Sequence, residues 1–84
     1  MSDWDYTGYW NVVIGDRWTP ESAVVEFDLQ DEDRDGLDAW LYASELDAIN
    51  AGVLSGDEHE QWERLRERAI DDLVEAAAQE GGAL

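Results

Sequence analysis

The fold prediction depends most on residues 22–29, which read SAVVEFDL. In an extended chain this segment places its acidic side chains on one side and Val25, Phe27 and Leu29 on the other. Alternation with a period of two residues is typical of a half-buried strand, because successive side chains point to opposite faces of a sheet. We therefore predict a strand over residues 22–29, with Val25, Phe27 and Leu29 directed into the core.

Two flanking segments are predicted to pair with this strand. Residues 9–14 read YWNVVI, which is aromatic and β-branched, and Gly15 ends the run. Residues 37–43 read LDAWLYA and are compatible with a strand or with a helix that continues to Asn50. Consecutive Trp, Leu and Tyr favour the strand, and Ser44 is placed to cap a new helix directly afterwards. The strand is our prediction for residues 37–43.

Two helices are predicted to follow. A short one covers residues 45–51 and is stopped by Gly52. A long one starts after Ser55-Gly56-Asp57-Glu58, which has the pattern of a capping box, and ends near Gln79. Apolar residues recur in it every three or four positions, as on one face of an amphipathic helix: Trp62, Leu65, Ala69, Leu73 and Ala76.

These elements predict a single α+β domain over residues 1–84, with flexible ends at about 1–5 and 80–84. Its core would be a small three-stranded antiparallel meander. The short helix follows it, and the long C-terminal amphipathic helix packs on one face of the sheet.

The net charge limits the classes of partner. Twenty-two Asp and Glu stand against five Arg and no Lys, which gives −17 at neutral pH. We do not expect the chain to bind nucleic acid directly, because Lys and Arg side chains supply most of the affinity of proteins for nucleic acids. An anionic membrane surface would repel the chain as well. Since such a charge costs folding energy, we expect the acidity to serve a purpose.

Two purposes are consistent with the composition. The acidic surface can imitate nucleic acid and bind a basic nucleic-acid-binding protein or enzyme, or it can keep the protein hydrated in the high-salt cytoplasm of a halophile. In size and composition alone the chain resembles virus-encoded inhibitors of host defence or repair enzymes. The sequence does not decide the oligomeric state.

Catalysis and cofactor binding are not expected. The chain has no cysteine, and its N-terminus lacks the basic and apolar regions of a signal peptide, so a cytoplasmic location is expected. His59 is the sole histidine and stands between Glu58 and Glu60, as a solvated side chain would. We therefore predict a non-enzymatic protein without a cofactor.

One segment matches the first half of a calcium-binding loop. Asp31-x-Asp33-x-Asp35-Gly36 places oxygen ligands at alternate positions before a glycine. The twelfth position, however, holds Tyr42 where a bidentate glutamate is required. We predict a solvated turn without a metal.

Two acidic patches are the predicted partner-binding surface. An unbroken row with i, i+4 spacing lies on the long helix, where each step rises about 6 Å, close to the distance between consecutive phosphates of a nucleic-acid strand; its members are Glu63, Glu67, Asp71 and Glu75. The second patch surrounds the predicted hairpin tip: Asp31, Asp33, Asp35 and Asp38, with Glu26 and Asp28 nearby. An ordinary solvated helix face is the alternative interpretation of the row.

Overall fold

The regular elements of residues 4–81, which the computed structural model describes, are all helical. Helix α1 (Tyr6–Trp10) continues into a π-helical turn (Asn11–Gly15), and α2 (Pro20–Glu26), α3 (Arg34–Asn50) and α4 (His59–Gly81) follow. These residues contain no strand, so the predicted α+β fold and its three-stranded antiparallel meander are wrong. Residues 1–3 and 82–84, most of the two ends predicted to be flexible, lie outside the described residues.

The first predicted strand is α1 with its π-helical turn. The carboxylate of Asp5 caps α1 by accepting a hydrogen bond from the backbone N–H of Gly8 at 2.7 Å. Such a cap satisfies one of the unpaired N–H groups of a helix start. This helical segment contributes three buried side chains to the core: Tyr9, Trp10 and Val13. The residue types favoured a strand, but the cap and the burial pattern are those of a helix.

The segment that suggested the central strand forms α2. Thr19 is its N-cap and accepts from the backbone N–H of Ser22, and Pro20 occupies the first turn, where a missing N–H costs nothing. Ala23 and Val24 are both buried although they are adjacent, which a helix allows and a half-buried strand does not.

The prediction that Val25, Phe27 and Leu29 all point into the core is therefore mostly wrong. Val25 is 55% exposed and Phe27 36% exposed, whereas Leu29, which follows the helix, is buried. Asp28 adopts a positive φ of 56° and turns the chain out of α2.

Helix α3 replaces both the third predicted strand and the short helix. Asp33 is its N-cap and accepts from the backbone N–H of Gly36 at 2.7 Å. Ser44, predicted to cap a separate helix, lies in its interior. The buried residues recur every three or four positions, as in a helix: Leu37, Leu41, Glu45 and Ala48.

The predicted stop at Gly52 is confirmed. Gly52 has a φ of +80°, and its N–H donates to the carbonyl of Ile49 at 3.0 Å. The N–H of Val53 donates to the carbonyl of Ala48 at 2.9 Å. This pair of bonds is a Schellman motif, which satisfies the last carbonyls of α3 and favours glycine at the left-handed position.

Helix α4 is the predicted long helix, and it packs against α1, α2 and α3 rather than against a sheet. The residues of its predicted apolar stripe are buried apart from Leu65, which is half-buried. The indole of Trp62 stacks on Tyr9 with ring centroids 6.2 Å apart. Within residues 4–81, no helix combines the length and the apolarity that crossing a bilayer requires.

Candidate functional site

The predicted acidic row of α4 is exposed along its whole length: Glu63, Glu67, Asp71 and Glu75 all face solvent. At 3.6 residues per turn, each i, i+4 step advances about 40° around the helix. The two ends of the row therefore point in directions about 120° apart. A partner surface that meets Glu63 and Glu67 squarely meets Glu75 only from the side.

The first turn of α3 lies beside the start of this row. A groove of about 310 Å³ runs between the two helices, and its walls are Arg34, Asp35, Asp38, Glu63, Arg66, Glu67 and Ile70. Two acidic patches that are separated by about thirty residues in sequence thus form one surface, which we call the acidic groove. Its described walls hold four carboxylates and two guanidinium groups.

The two arginines engage some of the acids. Arg34 forms an ion pair with Asp71 at 2.7 Å, and both side chains are more than half exposed. Arg66 donates from Nε to Asp38 at 2.8 Å. Within the part of the chain that the structure describes, Asp35, Glu63 and Glu67 have no hydrogen bond or ion pair to their side chains. These three carboxylates are the ones in the acidic groove that a basic partner can engage without first breaking an internal contact.

The other predicted site residues lie outside the groove. Glu26 is exposed at the end of α2, and Asp28 and Asp31 are exposed in the connection that follows, so the predicted hairpin tip does not exist. The carboxylate of Asp33 serves as the N-cap of α3.

The segment that resembled a calcium loop is a helix start. Because α3 begins at Arg34, Asp35 and Gly36 belong to its first turn and do not wrap around a central position. Among residues 4–81, no three acidic or imidazole side chains converge as metal ligands do. His59 is exposed at the first position of α4.

A buried charged network lies beneath the acidic groove. The carboxylate of Glu45 is buried in the core, where it accepts from the Tyr9 hydroxyl at 2.8 Å. Arg66 donates from Nη1 to both oxygens of Glu45 at 3.0 Å, in addition to its bond with Asp38. This network holds the Arg66 side chain between α3 and α4.

Two members of the network have a raised pKa. Burial raises the pKa of Tyr9, and the hydrogen bond to Glu45 and the charge of that carboxylate raise it further. For Arg66, burial opposes the charged form, but the hydrogen bonds and charges of Asp38 and Glu45 outweigh it, so the pKa of Arg66 is raised. The phenol therefore stays neutral and the guanidinium stays charged.

The sequence prediction missed this network because it placed residues 37–43 in a strand. Once residues 34–50 are one helix, Glu45 falls on the same stripe as Leu37, Leu41 and Ala48. A glutamate on an apolar stripe signals a buried partner, since a lone buried carboxylate is too costly.

The outward face of α3 is apolar over two turns. Ala39, Tyr42, Ala43 and Leu46 are exposed at spacings of three and four residues, with Tyr42 43% and Leu46 38% exposed. The guanidinium of Arg66 lies 5.1 Å from the centroid of the Tyr42 ring. Arg66 therefore contacts both the acidic groove and this apolar face, so the two surfaces adjoin.

No protein-family model, curated protein or solved structure matches the chain.

Proposed function

We propose that the chain is a non-enzymatic acidic binding protein that occupies the basic nucleic-acid-binding groove of a partner protein. The observation that carries this proposal is the joining of Asp35 with Glu63 and Glu67 in the acidic groove. Lys and Arg side chains that bind successive phosphates need carboxylates at similar spacing, and one turn of α4 separates Glu63 from Glu67 by about 6 Å.

The charge of the whole molecule supports the same partner. A net charge of −17 attracts basic proteins over long distances and raises their association rate. The same field repels nucleic acids, anionic membranes and other copies of the chain. A basic protein surface is the macromolecular partner that this field favours.

The apolar face of α3 supplies binding energy that exposed charges alone do not. Exposed ion pairs contribute little net affinity, whereas buried aromatic and aliphatic anchors carry most of the energy of an interface. Tyr42 and Leu46 are exposed beside the groove and are suited to that role. In this proposal the carboxylates steer and orient the partner, and the apolar face of α3 holds it.

Competition with nucleic acid tests the proposal. Fluorescence anisotropy of labelled double-stranded DNA and of labelled RNA, each bound to members of a panel of basic nucleic-acid-binding proteins, measures displacement by the chain. The double variant Glu63→Lys/Glu67→Lys should need at least about tenfold more protein for the same displacement. Asp16→Lys/Asp57→Lys is the matched control, since both residues are exposed, neither lines the groove or belongs to α3, and the change in charge is the same.

Displacement that fails for every member of the panel would contradict the proposal. Equal weakening by the groove variant and its control would also contradict it, because that result would assign the binding to diffuse charge rather than to the groove.

A second candidate function is a small adaptor or housekeeping domain of a halophile, whose acidity is an adaptation to salt. The observation in its favour is that exposed carboxylates also lie outside the lining of the groove, at Asp5, Glu21, Asp47 and Glu60. This candidate predicts a chain that is unfolded at low salt and folds in molar KCl. Far-ultraviolet circular dichroism across that range separates the two, because the nucleic-acid mimic should already be folded near physiological salt.

A further inference from the structure

A second cavity, distinct from the acidic groove, lies where α1, the start of α2 and α4 meet. Its volume is about 280 Å³, and its walls are Tyr6, Thr7, Trp10, Trp18, Thr19, Pro20 and Asp72. Three of these seven residues are aromatic and one is a carboxylate. None of the described residues that line it is basic. We call it the aromatic cavity.

Hydrogen bonds hold its walls in place. The Tyr6 hydroxyl donates to Oδ2 of Asp72 at 2.5 Å, which ties α1 to α4. The indole N–H of Trp10 donates to the backbone carbonyl of Trp18 at 2.8 Å. The rings of Tyr6 and Trp10 lie 6.1 Å apart with a 59° angle between their planes, so they form two walls that meet at a corner. A site with fixed walls loses little entropy when a ligand enters.

The rings of this cavity already attract cations. The guanidinium of Arg68 lies 4.2 Å from the centroid of the Tyr6 ring, and that of Arg17 lies 5.8 Å from the centroid of Trp18. Both distances are within the range of cation–π contacts, in which a positive charge sits on the negative face of the ring. Neither arginine is among the described residues that line the cavity, and the charged residue among those is Asp72.

We propose that the aromatic cavity binds an alkylated ammonium group, such as the quaternary ammonium of a small organic cation or a methylated lysine side chain. Aromatic walls select this class because its diffuse charge is weakly hydrated and its methyl groups pack on rings. Asp72 supplies the opposite charge, and the field of a protein at −17 concentrates organic cations near its surface. The proposal does not depend on the function of the acidic groove.

The first test compares a cation with a neutral molecule of the same shape. Choline and its carbon isostere 3,3-dimethylbutan-1-ol are titrated at constant ionic strength, with the tryptophan indole N–H signals followed by two-dimensional NMR. Choline should shift the Trp10 and Trp18 signals, with an affinity at least about fivefold higher than that of the isostere. Equal affinity for the two molecules would overturn the proposal, since charge would then have no part in binding.

The second test assigns the site. Asp72→Asn keeps the size of the side chain and an acceptor for Tyr6, and it should weaken choline binding about fivefold or more. Asp47→Asn removes one charge from an exposed position on α3 and should leave the affinity unchanged. Equal weakening by both variants would mean that choline follows the overall charge, which would overturn the proposal.

A matched pair of tryptophans tests the aromatic wall. Trp18 and Trp40 both pack on Phe27, with ring centroids 5.4 and 5.2 Å away, but only Trp18 lines the cavity. Trp18→Leu should abolish choline binding while Trp40→Leu keeps it, with circular dichroism showing that both variants fold. The same titration with a free trimethyllysine derivative and with a peptide that carries trimethyllysine then shows whether the cavity prefers a small organic cation or a methylated lysine side chain.

Discussion

Arg66 of α4 donates from one nitrogen to both carboxylate oxygens of Glu45 of α3, and Glu45 is only 2% exposed. A carboxylate at that depth depends on its partners, because burial removes the water that would otherwise stabilise its charge. The exposed pair of Arg34 and Asp71 has no such dependence, since water can replace either partner. The Arg66–Glu45 and Arg34–Asp71 ion pairs, which join the same two helices, therefore differ in what they contribute to stability.

Removing Arg66, the ion-pair partner of the buried Glu45, should lower the stability of the fold strongly. We expect Arg66→Ala to lower the free energy of unfolding by about 3–5 kcal/mol, because Glu45 is left buried without its ion-pair partner. Arg34→Ala should lower it by about 1 kcal/mol or less. Urea unfolding of both variants measures the difference, and equal effects would show that Glu45 is not the buried charge that the geometry indicates.

The core of α4 gives a second prediction. Leu73 is fully buried, so Leu73→Ala should cost about 2–5 kcal/mol through lost burial and the cavity that remains. Val25 faces solvent, and Val25→Ala should change the stability by about 0.5 kcal/mol or less. A large effect of Val25→Ala would contradict the exposed position of Val25 on α2.

Tyrosine ionisation gives a prediction about pH. Burial, followed by the hydrogen bonds to Asp72 and Glu45 respectively, raises the pKa of Tyr6 and of Tyr9 above the ordinary value of 10.0. A raised pKa means that the folded state favours the neutral phenol. The stability from both groups is present below about pH 10 and is lost as the pH rises further.

The melting temperature between pH 8 and pH 11 measures this loss. We expect it to fall above about pH 10 in the wild type. The decline should be shallower in Tyr9→Phe and shallowest in Tyr6→Phe/Tyr9→Phe, because phenylalanine has no proton to lose. An equally steep decline in all three proteins would show that these phenols are not the cause.

The cap of α3 separates the helix start from a calcium loop. Asp33→Asn should retain most of the stability, since asparagine caps a helix as well as aspartate does, whereas Asp33→Ala should cost about 1 kcal/mol. Millimolar calcium should leave the melting temperature of the wild type nearly unchanged. A rise of many degrees that disappears in Asp33→Asn would be the signature of a bound ion instead.

Charge reversal within the acidic row should stabilise the fold. Glu67 has like-charged neighbours four residues away on both sides, at Glu63 and Asp71. Glu67→Lys converts these two repulsive pairs into attractive ones and one attractive contact, with Arg64 three residues away, into a repulsive one, so we expect a net gain of about 0.5 kcal/mol that shrinks with added salt. Glu60→Lys is the control: the attraction to Arg64 that it removes offsets the repulsion from Glu63 that it relieves, and a cation in the first turn of α4 opposes the helix dipole. Thermal unfolding at low and high salt compares the two.

The sequence was sufficient for the elements whose signals agreed with each other. Helix α4 has apolar residues every three or four positions, and Gly52 is a strong stop signal after α3. The capping box predicted over Ser55–Glu58 does not form, since α4 begins at His59 and the Ser55 hydroxyl accepts from the N–H of Asp57. The exposed acidic row followed from the same periodicity.

In the other segments the residue types favoured strands, whereas the capping residues favoured helices. Residues 9–14, 22–29 and 37–43 are rich in β-branched and aromatic side chains, but each lies in or directly after a helix that begins with a capping Asp or Thr. The buried pair Ala23 and Val24 shows that tertiary packing, rather than β propensity, decided residues 22–29. The acidic groove could not be predicted, because it exists only when residues 34–50 form one helix beside α4.

The hydrogen bond between Tyr6 and Asp72 joins residues 66 positions apart, and it has a consequence for folding kinetics. Helical proteins usually fold fast because their contacts are local, and long loops slow the search for native contacts. Here α1 must find α4 across almost the whole chain, and the entropy of closing that loop is lost before the contact stabilises anything. We expect refolding to be slower than in a helical bundle of this size that is held together by neighbouring helices alone.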